Sequence, residues 1–111
     1  MIWRGEIYDI DLGQPIGHEP GFTRPAVIVS VNVINNGLGE LVSVVPVASK
    51  FYGLRSHVEL DPGASGLGHV SYARCDQIRT ISTRRLSARR GQASQDEIQD
   101  ISQALRFILD L

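Results

Sequence analysis

Most of the chain is built from short segments in which apolar and polar positions alternate or β-branched residues run together, a pattern typical of strands. Strands are predicted at residues 2–12, 25–31, 41–47, 57–60, 69–73 and 77–81. Glycine, proline and asparagine residues predict loops between them, at 13–23, 32–39, 48–56 and 61–68. The first of these loops is long for a hairpin connection, which makes it a candidate functional loop.

The period of the apolar positions changes near the C-terminal end. Ser94 followed three residues later by Glu97 has the pattern of a capping box, which starts a helix. The apolar residues that follow lie on one helical stripe: Ile98, Ile101, Leu105, Ile108 and Leu109. Several short strands followed by one helix predict a mainly β fold of the α+β type, a small curled sheet or barrel with a C-terminal helix packed on it.

Length and composition restrict the class of protein. A chain of 111 residues is expected to form one domain over 1–111. No apolar run approaches the roughly 20 residues that a membrane helix needs, so no membrane association is expected. The N-terminus has no signal-peptide pattern, and the single cysteine, Cys75, excludes an internal disulfide and suits a reducing compartment. We therefore expect a cytoplasmic protein.

The charges are separated along the chain rather than biased in total. The net charge of −1 argues against binding of nucleic acid by bulk attraction. Between Gln77 and Gln95 there are five arginines and no acid, and the predicted helix is acidic. Three interpretations fit this basic stretch: a track for an RNA backbone, a solvated edge, or a docking surface for an acidic partner.

Polar residues that can act on a phosphodiester lie where predicted strands meet loops. They occur in Arg74-Cys75-Asp76-Gln77, in Gly17-His18-Glu19 and in Arg24-Pro25. An Asp or His can move a proton, and guanidinium groups can hold phosphate oxygens and oppose the charge that develops at phosphorus. RNA supplies its own nucleophile, the 2′-hydroxyl, so such a set could cleave RNA without a metal ion.

Each of these residues also has a purely structural interpretation. Asp76 could pair with Arg74, and Arg24 with Glu19, as surface ion pairs, whereas His18 could simply be solvated. His57 and His69 lie in predicted strands and serve as structural comparisons. The histidines have no metal-ligand spacing and there is no Cys/His cluster, so we predict neither a metal ion nor another cofactor.

Five stretches, in order, resemble the MazF/PemK (Kid) family of bacterial toxins. They are Arg4-Gly5-Glu6-Ile7-Tyr8, Gly17-His18-Glu19, Thr23-Arg24-Pro25-Ala26-Val27-Ile28-Val29, Val45-Pro46-Val47 and Arg74-Cys75-Asp76-Gln77-Ile78-Arg79-Thr80-Ile81. The resemblance implies an SH3-like barrel with a C-terminal helix. It also implies a ribosome-independent endoribonuclease toxin that forms homodimers, cuts single-stranded RNA and is bound by a cognate antitoxin.

The resemblance further implies roles for individual residues. The expected catalytic residues are Arg24, Arg74, Asp76 and His18. The expected RNA-binding residues are Glu19, Ser49, Gln77 and Arg79. The implied products are a 2′,3′-cyclic phosphate and a 5′-hydroxyl. Phe22, Phe51 and Tyr52 are candidates for stacking on RNA bases.

One position departs from the family pattern. Many relatives have a threonine implicated in catalysis after the Pro-Val segment, where this chain has Ala48. Because neighbouring strand residues face opposite ways, we expect that Ser49 does not replace the missing hydroxyl. A weakly active RNA or antitoxin binder is therefore an alternative. Another is a gyrase poison of the CcdB type, which is disfavoured because the C-terminal segment has no tryptophan.

Overall fold

A computed structural model describes residues 1–111. Seven antiparallel strands run in the order β1 Glu6–Asp11, β2 Thr23–Ile28, β3 Leu41–Ala48, β4 His57–Leu60, β5 Ser71–Arg74, β6 Arg79–Ser82 and β7 Leu86–Gln92. Two α-helices are present, α1 Asn32–Asn35 and α2 Gln95–Leu109, and single 3₁₀ turns lie at Cys75–Gln77 and Thr83–Arg85. The predicted fold class, a mainly β protein with a C-terminal helix, is confirmed.

The sheet is curled around its longest strand. Its order is β4-β5-β3-β2-β1-β7, and β6 also pairs with β3. The first half of β3 pairs with β6 and its last two residues pair with β5, so β3 bends from one group of strands to the other. The result is a small barrel-like sheet that stays open, in which β4, β6 and β7 each pair with one strand only.

Apolar side chains pack on both faces of this sheet. On β2, Val27 enters the cluster that α2 covers with Ile101 and Ala104. Its neighbour Ala26 enters a second cluster with Ile10 on the opposite face. This is the alternation expected of a strand buried on both sides, and it explains why β2 reads as a continuous apolar run.

Helix α2 begins at the predicted capping box. The Ser94 hydroxyl accepts a hydrogen bond from the Glu97 N–H at 3.1 Å, and the Glu97 carboxylate accepts one from the Ser94 N–H at 2.8 Å. The other Glu97 oxygen accepts from the Asp61 N–H at 2.7 Å. The helix start is therefore tied to the loop that follows β4. No helix in the structure combines the length and apolar character needed to cross a membrane.

Strands β2, β5 and β6 are shifted by up to three residues from their predicted bounds, and three further details differ from the sequence prediction. Strand β7 was missed, because six of its seven side chains remain at least partly exposed and it pairs only with β1. The predicted turn at 32–39 contains the single-turn helix α1. Strand β1 begins at Glu6 rather than at Ile2, since Gly5 has a φ of +95° and a Cβ there would clash with Ile98 of α2.

Candidate active site

Strand β5 and the 3₁₀ turn after it bring an acid and a histidine together. Asp76 lies in that turn, and His57 on β4 faces Arg74 across the strand pair. The Nε2 atom of His57 lies 3.2 Å from Oδ1 of Asp76. The His57 side chain is only 4% exposed and that of Asp76 is 36% exposed. The carboxylate therefore reaches solvent while the imidazole lies behind it.

Arg74, the last residue of β5, has unused hydrogen-bonding capacity. Its guanidinium lies 5.6 Å from the centre of the Tyr52 ring, and its Nε is buried without a hydrogen-bond partner. Arg74 forms no ion pair with Asp76, so that structural interpretation is wrong. A guanidinium with a free N–H can still bind an anionic oxygen.

A cavity of about 520 Å³ lies beside the ends of β2 and β3. Basic and hydroxyl side chains line it without any acid: Arg24, Ser49, Lys50, His69, Ser71 and Arg90. The Nε of Arg24 donates to the carbonyl of Gly21 at 3.2 Å, which fixes the base of the guanidinium. This cavity suits a phosphate or another anionic group.

The strand register places Arg24 and Arg74 on one face of the sheet. Ala48 on β3 is opposite Tyr72 on β5, and Tyr72 lies two residues from Arg74. Ala26 on β2 is opposite a β3 residue two positions before Ala48, so Arg24 and Ala48 extend the same row. Because side chains two apart on a strand share a face, Arg24, Ala48, Tyr72 and Arg74 form one row, and Asp76 lies in the turn directly after that row.

The polar residues of the loop between β1 and β2 do not line the Arg24 cavity. His18 and Glu19 are exposed. The Glu19 carboxylate accepts a hydrogen bond from the Ile16 N–H at 3.2 Å, which closes the loop on itself. Glu19 forms no ion pair with Arg24, so that structural interpretation is also wrong.

The basic stretch is partly neutralised within the fold. Arg89 pairs with Glu6, and Arg90 pairs with Asp9 at 3.1 Å. Arg79, on β6, donates to the carbonyl of Leu12 at 3.4 Å, at the base of the β1–β2 loop. Gln77 is half-buried at the end of the 3₁₀ turn. No group of three or more His, Cys, Asp or Glu side chains is arranged to hold a metal ion.

Comparison with known proteins decides the family. Residues 3–109 match the family model described as PemK-like, MazF-like toxin of type II toxin–antitoxin systems. The chain belongs to this toxin family. It is 38% identical to Endoribonuclease MazF9 of Mycobacterium tuberculosis (strain ATCC 25618 / H37Rv) over 118 aligned residues, covering 100% of this chain and 98% of that protein.

Solved structures of MazF proteins share the fold of this toxin. Crystalline MazF from Deinococcus radiodurans is 26% identical, with a TM-score of 0.84 over 99% of this chain and 97% of the other. A mycobacterial endoribonuclease in complex with its cognate antitoxin is 25% identical, with a TM-score of 0.82 over 100% of this chain and 97% of that chain. The family resemblance found in the sequence is confirmed.

His57 was treated as a structural comparison because it lies in a predicted strand. The structure places its Nε2 atom against Asp76. The feature that could have predicted this contact is the pairing of strands β4 and β5, which places His57 opposite Arg74. The alternation argument does not apply to Ser49, because strand β3 ends at Ala48. Ala48 and Ser49 both line the Arg24 cavity.

The thiol beside Asp76 is not a nucleophile at neutral pH. Burial, together with the negative charge of Asp76, raises the pKa of Cys75 to about 12. A thiol with so high a pKa is almost entirely protonated, and the thiolate is the reactive form.

The Cys75 pKa predicts a loss of folding stability in alkali. An unfolded thiol ionises near pH 9, whereas the folded one keeps its proton up to about 12. The folded state then binds more protons, so the free energy of unfolding falls as pH rises through that window. Burial also raises the pKa of Tyr8, which acts in the same direction. Urea unfolding at about pH 8 and about pH 10.5 should show this fall. Cys75→Ala should reduce the fall, and an equal fall in that variant would contradict the assignment.

Proposed function

We propose that this toxin is an endoribonuclease that cleaves single-stranded RNA without a metal ion, by attack of the RNA 2′-hydroxyl. The observation that carries the proposal is a row of side chains on one sheet face that includes Arg24 and Arg74, followed in the next turn by the solvent-accessible carboxylate of Asp76. Family membership and the relative named Endoribonuclease MazF9 support the activity class. The domain is proposed to span 1–111.

The proposed reaction assigns one role to each residue. Asp76 accepts the proton of the 2′-hydroxyl, whose oxygen then attacks the adjacent phosphorus. Arg74 and Arg24 oppose the negative charge that builds on the phosphoryl oxygens. The bond to the 5′-oxygen breaks, and His18 gives that oxygen a proton. The products are a 2′,3′-cyclic phosphate and a 5′-hydroxyl.

Residues around this face would hold the RNA. We assign contacts with RNA to Glu19, Ser49, Gln77 and Arg79. Phe51 and Tyr52 are exposed on the loop between β3 and β4, where their rings can stack on bases. Phe51 also packs on Tyr72, with ring centres 5.5 Å apart, so the stacking surface continues from the Ala48 row.

The reaction class can be tested on purified toxin. Cleavage of a long single-stranded RNA should continue in the presence of EDTA. Mass spectrometry of the fragments should show 2′,3′-cyclic phosphate and 5′-hydroxyl ends. Fragments with 5′-phosphate and 3′-hydroxyl ends, or a strict requirement for Mg²⁺, would overturn the proposed mechanism. Binding of RNA without any cleavage would instead support the weakly active alternative.

The hydroxyl of Ser49 is expected to replace the one missing at Ala48. Ser49 follows the end of β3 and lines the Arg24 cavity, so it can reach a phosphate bound there. If its hydrogen bond contributes about 1.4 kcal/mol to the transition state, Ser49→Ala should lower single-turnover cleavage by ~10-fold. Ala48→Thr is the matched control and should change the rate little. A large gain in Ala48→Thr with a silent Ser49→Ala would show that no hydroxyl acts in the native toxin.

The proposed assembly is a cytoplasmic homodimer that binds RNA and a cognate antitoxin. An exposed apolar surface near α1 supports pairing with a second copy: Val31, Val33, Ile34, Leu38 and Leu41. A related mycobacterial endoribonuclease has been solved with its cognate antitoxin, which supports an antitoxin partner. Light scattering should give the mass of a dimer, and a monomer that retains full cleavage would contradict the dimer.

A further inference from the structure

His57 packs behind the carboxylate that is proposed to take the 2′-hydroxyl proton. Its Nε2 lies 3.2 Å from Oδ1 of Asp76, and this is the only ion-pair contact of that carboxylate. The imidazole is almost completely buried, whereas Asp76 is reachable from solvent. We propose that His57 is a positioning residue: it holds one oxygen of Asp76 so that the other faces the substrate. This role rests on the proposed RNA cleavage.

The position of the proton on His57 follows from hydrogen-bonding chemistry. An ionised carboxylate only accepts hydrogen bonds, so Nε2 must carry the proton that faces Asp76. Nε2 and Oδ1 are close but not aligned as a hydrogen bond, and Nε2 has no other partner. A small rotation of the partly exposed Asp76 carboxylate would complete the bond. Contacts of this kind often tighten only when substrate is bound.

A histidine at this position is costly for the fold. Nδ1 of His57 is buried and has no hydrogen-bond partner. An unpaired buried polar atom destabilises a protein, and an aromatic hydrocarbon of similar size would avoid that cost. His57 therefore contributes something that packing alone does not require, and Asp76 is the group that its other nitrogen contacts.

Neighbouring side chains fix the plane of the imidazole. The Tyr52 ring meets His57 edge to face, with ring centres 5.8 Å apart and an angle of 83° between the planes. Arg74 lies over the same Tyr52 ring. His57 thus links the proton acceptor, Asp76, to one of the phosphate-binding groups, Arg74. A reacting group supported by packed neighbours is positioned more closely than one that is left free.

Other charged groups surround His57 at a greater distance than Asp76. Arg55 precedes β4, Glu59 lies on β4, and Asp100 lies on α2, and all three line a cavity of about 330 Å³ together with His57. None of them forms an ion pair with His57. Asp76 is therefore the charged group that a substitution of His57 affects most directly.

The decisive variants are His57→Phe and His57→Gln. Phenylalanine keeps the contact with Tyr52 but has no N–H, whereas the glutamine amide can still donate toward Asp76. We expect His57→Phe to lower kcat by roughly 10- to 100-fold with little change in KM, as for other groups that orient a reacting side chain. His57→Gln should keep most of the activity. The melting temperature of His57→Phe should stay equal or rise, because the unpaired Nδ1 is gone.

A second measurement does not depend on activity or on the variants. Nitrogen-15 NMR of the wild-type side chain distinguishes the two neutral tautomers, and the inference requires the proton on Nε2. A proton on Nδ1 instead would remove the donor toward Asp76 and overturn the inference. Cleavage by His57→Phe at the wild-type rate would overturn it as well. If the inference fails but the wild-type toxin cleaves RNA, the proposed function is still supported. If the wild-type toxin cleaves no RNA, both the proposed function and the role of His57 are wrong.

Discussion

Replacing Asp76 with asparagine is expected to lower single-turnover RNA cleavage by roughly 10²- to 10⁴-fold, the usual contribution of a general base. The amide has the same shape as the carboxylate but cannot accept the 2′-hydroxyl proton. The melting temperature should change by only a few degrees, because the side chain is partly exposed and its one ion-pair contact is with His57. The measurement is cleavage of one oligonucleotide together with a thermal melt.

Asp110→Asn is the matched control for this substitution. Asp110 is exposed at the end of α2 with a φ of 56°, a conformation that asparagine adopts readily. The control should cleave at the wild-type rate. If folded Asp76→Asn also cleaves at that rate, Asp76 is not the proton acceptor and the assignment of the site is wrong.

Arg24→Ala is expected to lower cleavage by ~100-fold or more, since each group that stabilises developing charge typically contributes that much. Arg24 is half-buried and makes one hydrogen bond, to the Gly21 carbonyl, so its loss should lower the free energy of unfolding by only about 1 kcal/mol. The rate and the urea unfolding midpoint, measured on the same preparation, separate catalysis from folding.

Arg84→Ala provides the matched control for Arg24. Arg84 is an exposed arginine of the basic stretch that forms no ion pair and does not line the Arg24 cavity. Its loss should weaken RNA binding slightly and leave the cleavage step unchanged. Equal losses in the two variants would mean that Arg24 acts only through general attraction for RNA.

Much of the fold could be read from the sequence because local patterns and tertiary packing agree. Strand β4 was predicted with its observed bounds, and α2 begins at the capping box of Ser94 and Glu97. Strand β7 was missed for a physical reason. It is an end strand whose arginines are exposed. Because most of its side chains are not buried, its sequence has no apolar pattern, and only its pairing with β1 defines it.

The site was less accessible from the sequence than the fold. Arg24, Arg74 and Asp76 could be selected because their chemistry suits a phosphodiester and their motifs resemble the family. The partner of Asp76 could not, since the contact with His57 depends on how β4 pairs with β5. Ser49 was set aside by an alternation argument that fails because β3 ends one residue earlier. Register and strand ends are tertiary facts, and they decide which side chains share a surface.

The most direct test of the account uses a substrate that lacks only the proposed nucleophile. Once the cleavage site has been mapped on an RNA oligonucleotide, the same oligonucleotide is prepared with a 2′-deoxy sugar on the 5′ side of the scissile phosphate. Attack by the 2′-hydroxyl predicts that the toxin binds this oligonucleotide but leaves it intact while cutting the all-ribose form. Cleavage of both at equal rates would contradict the proposed chemistry of Asp76, Arg24 and Arg74.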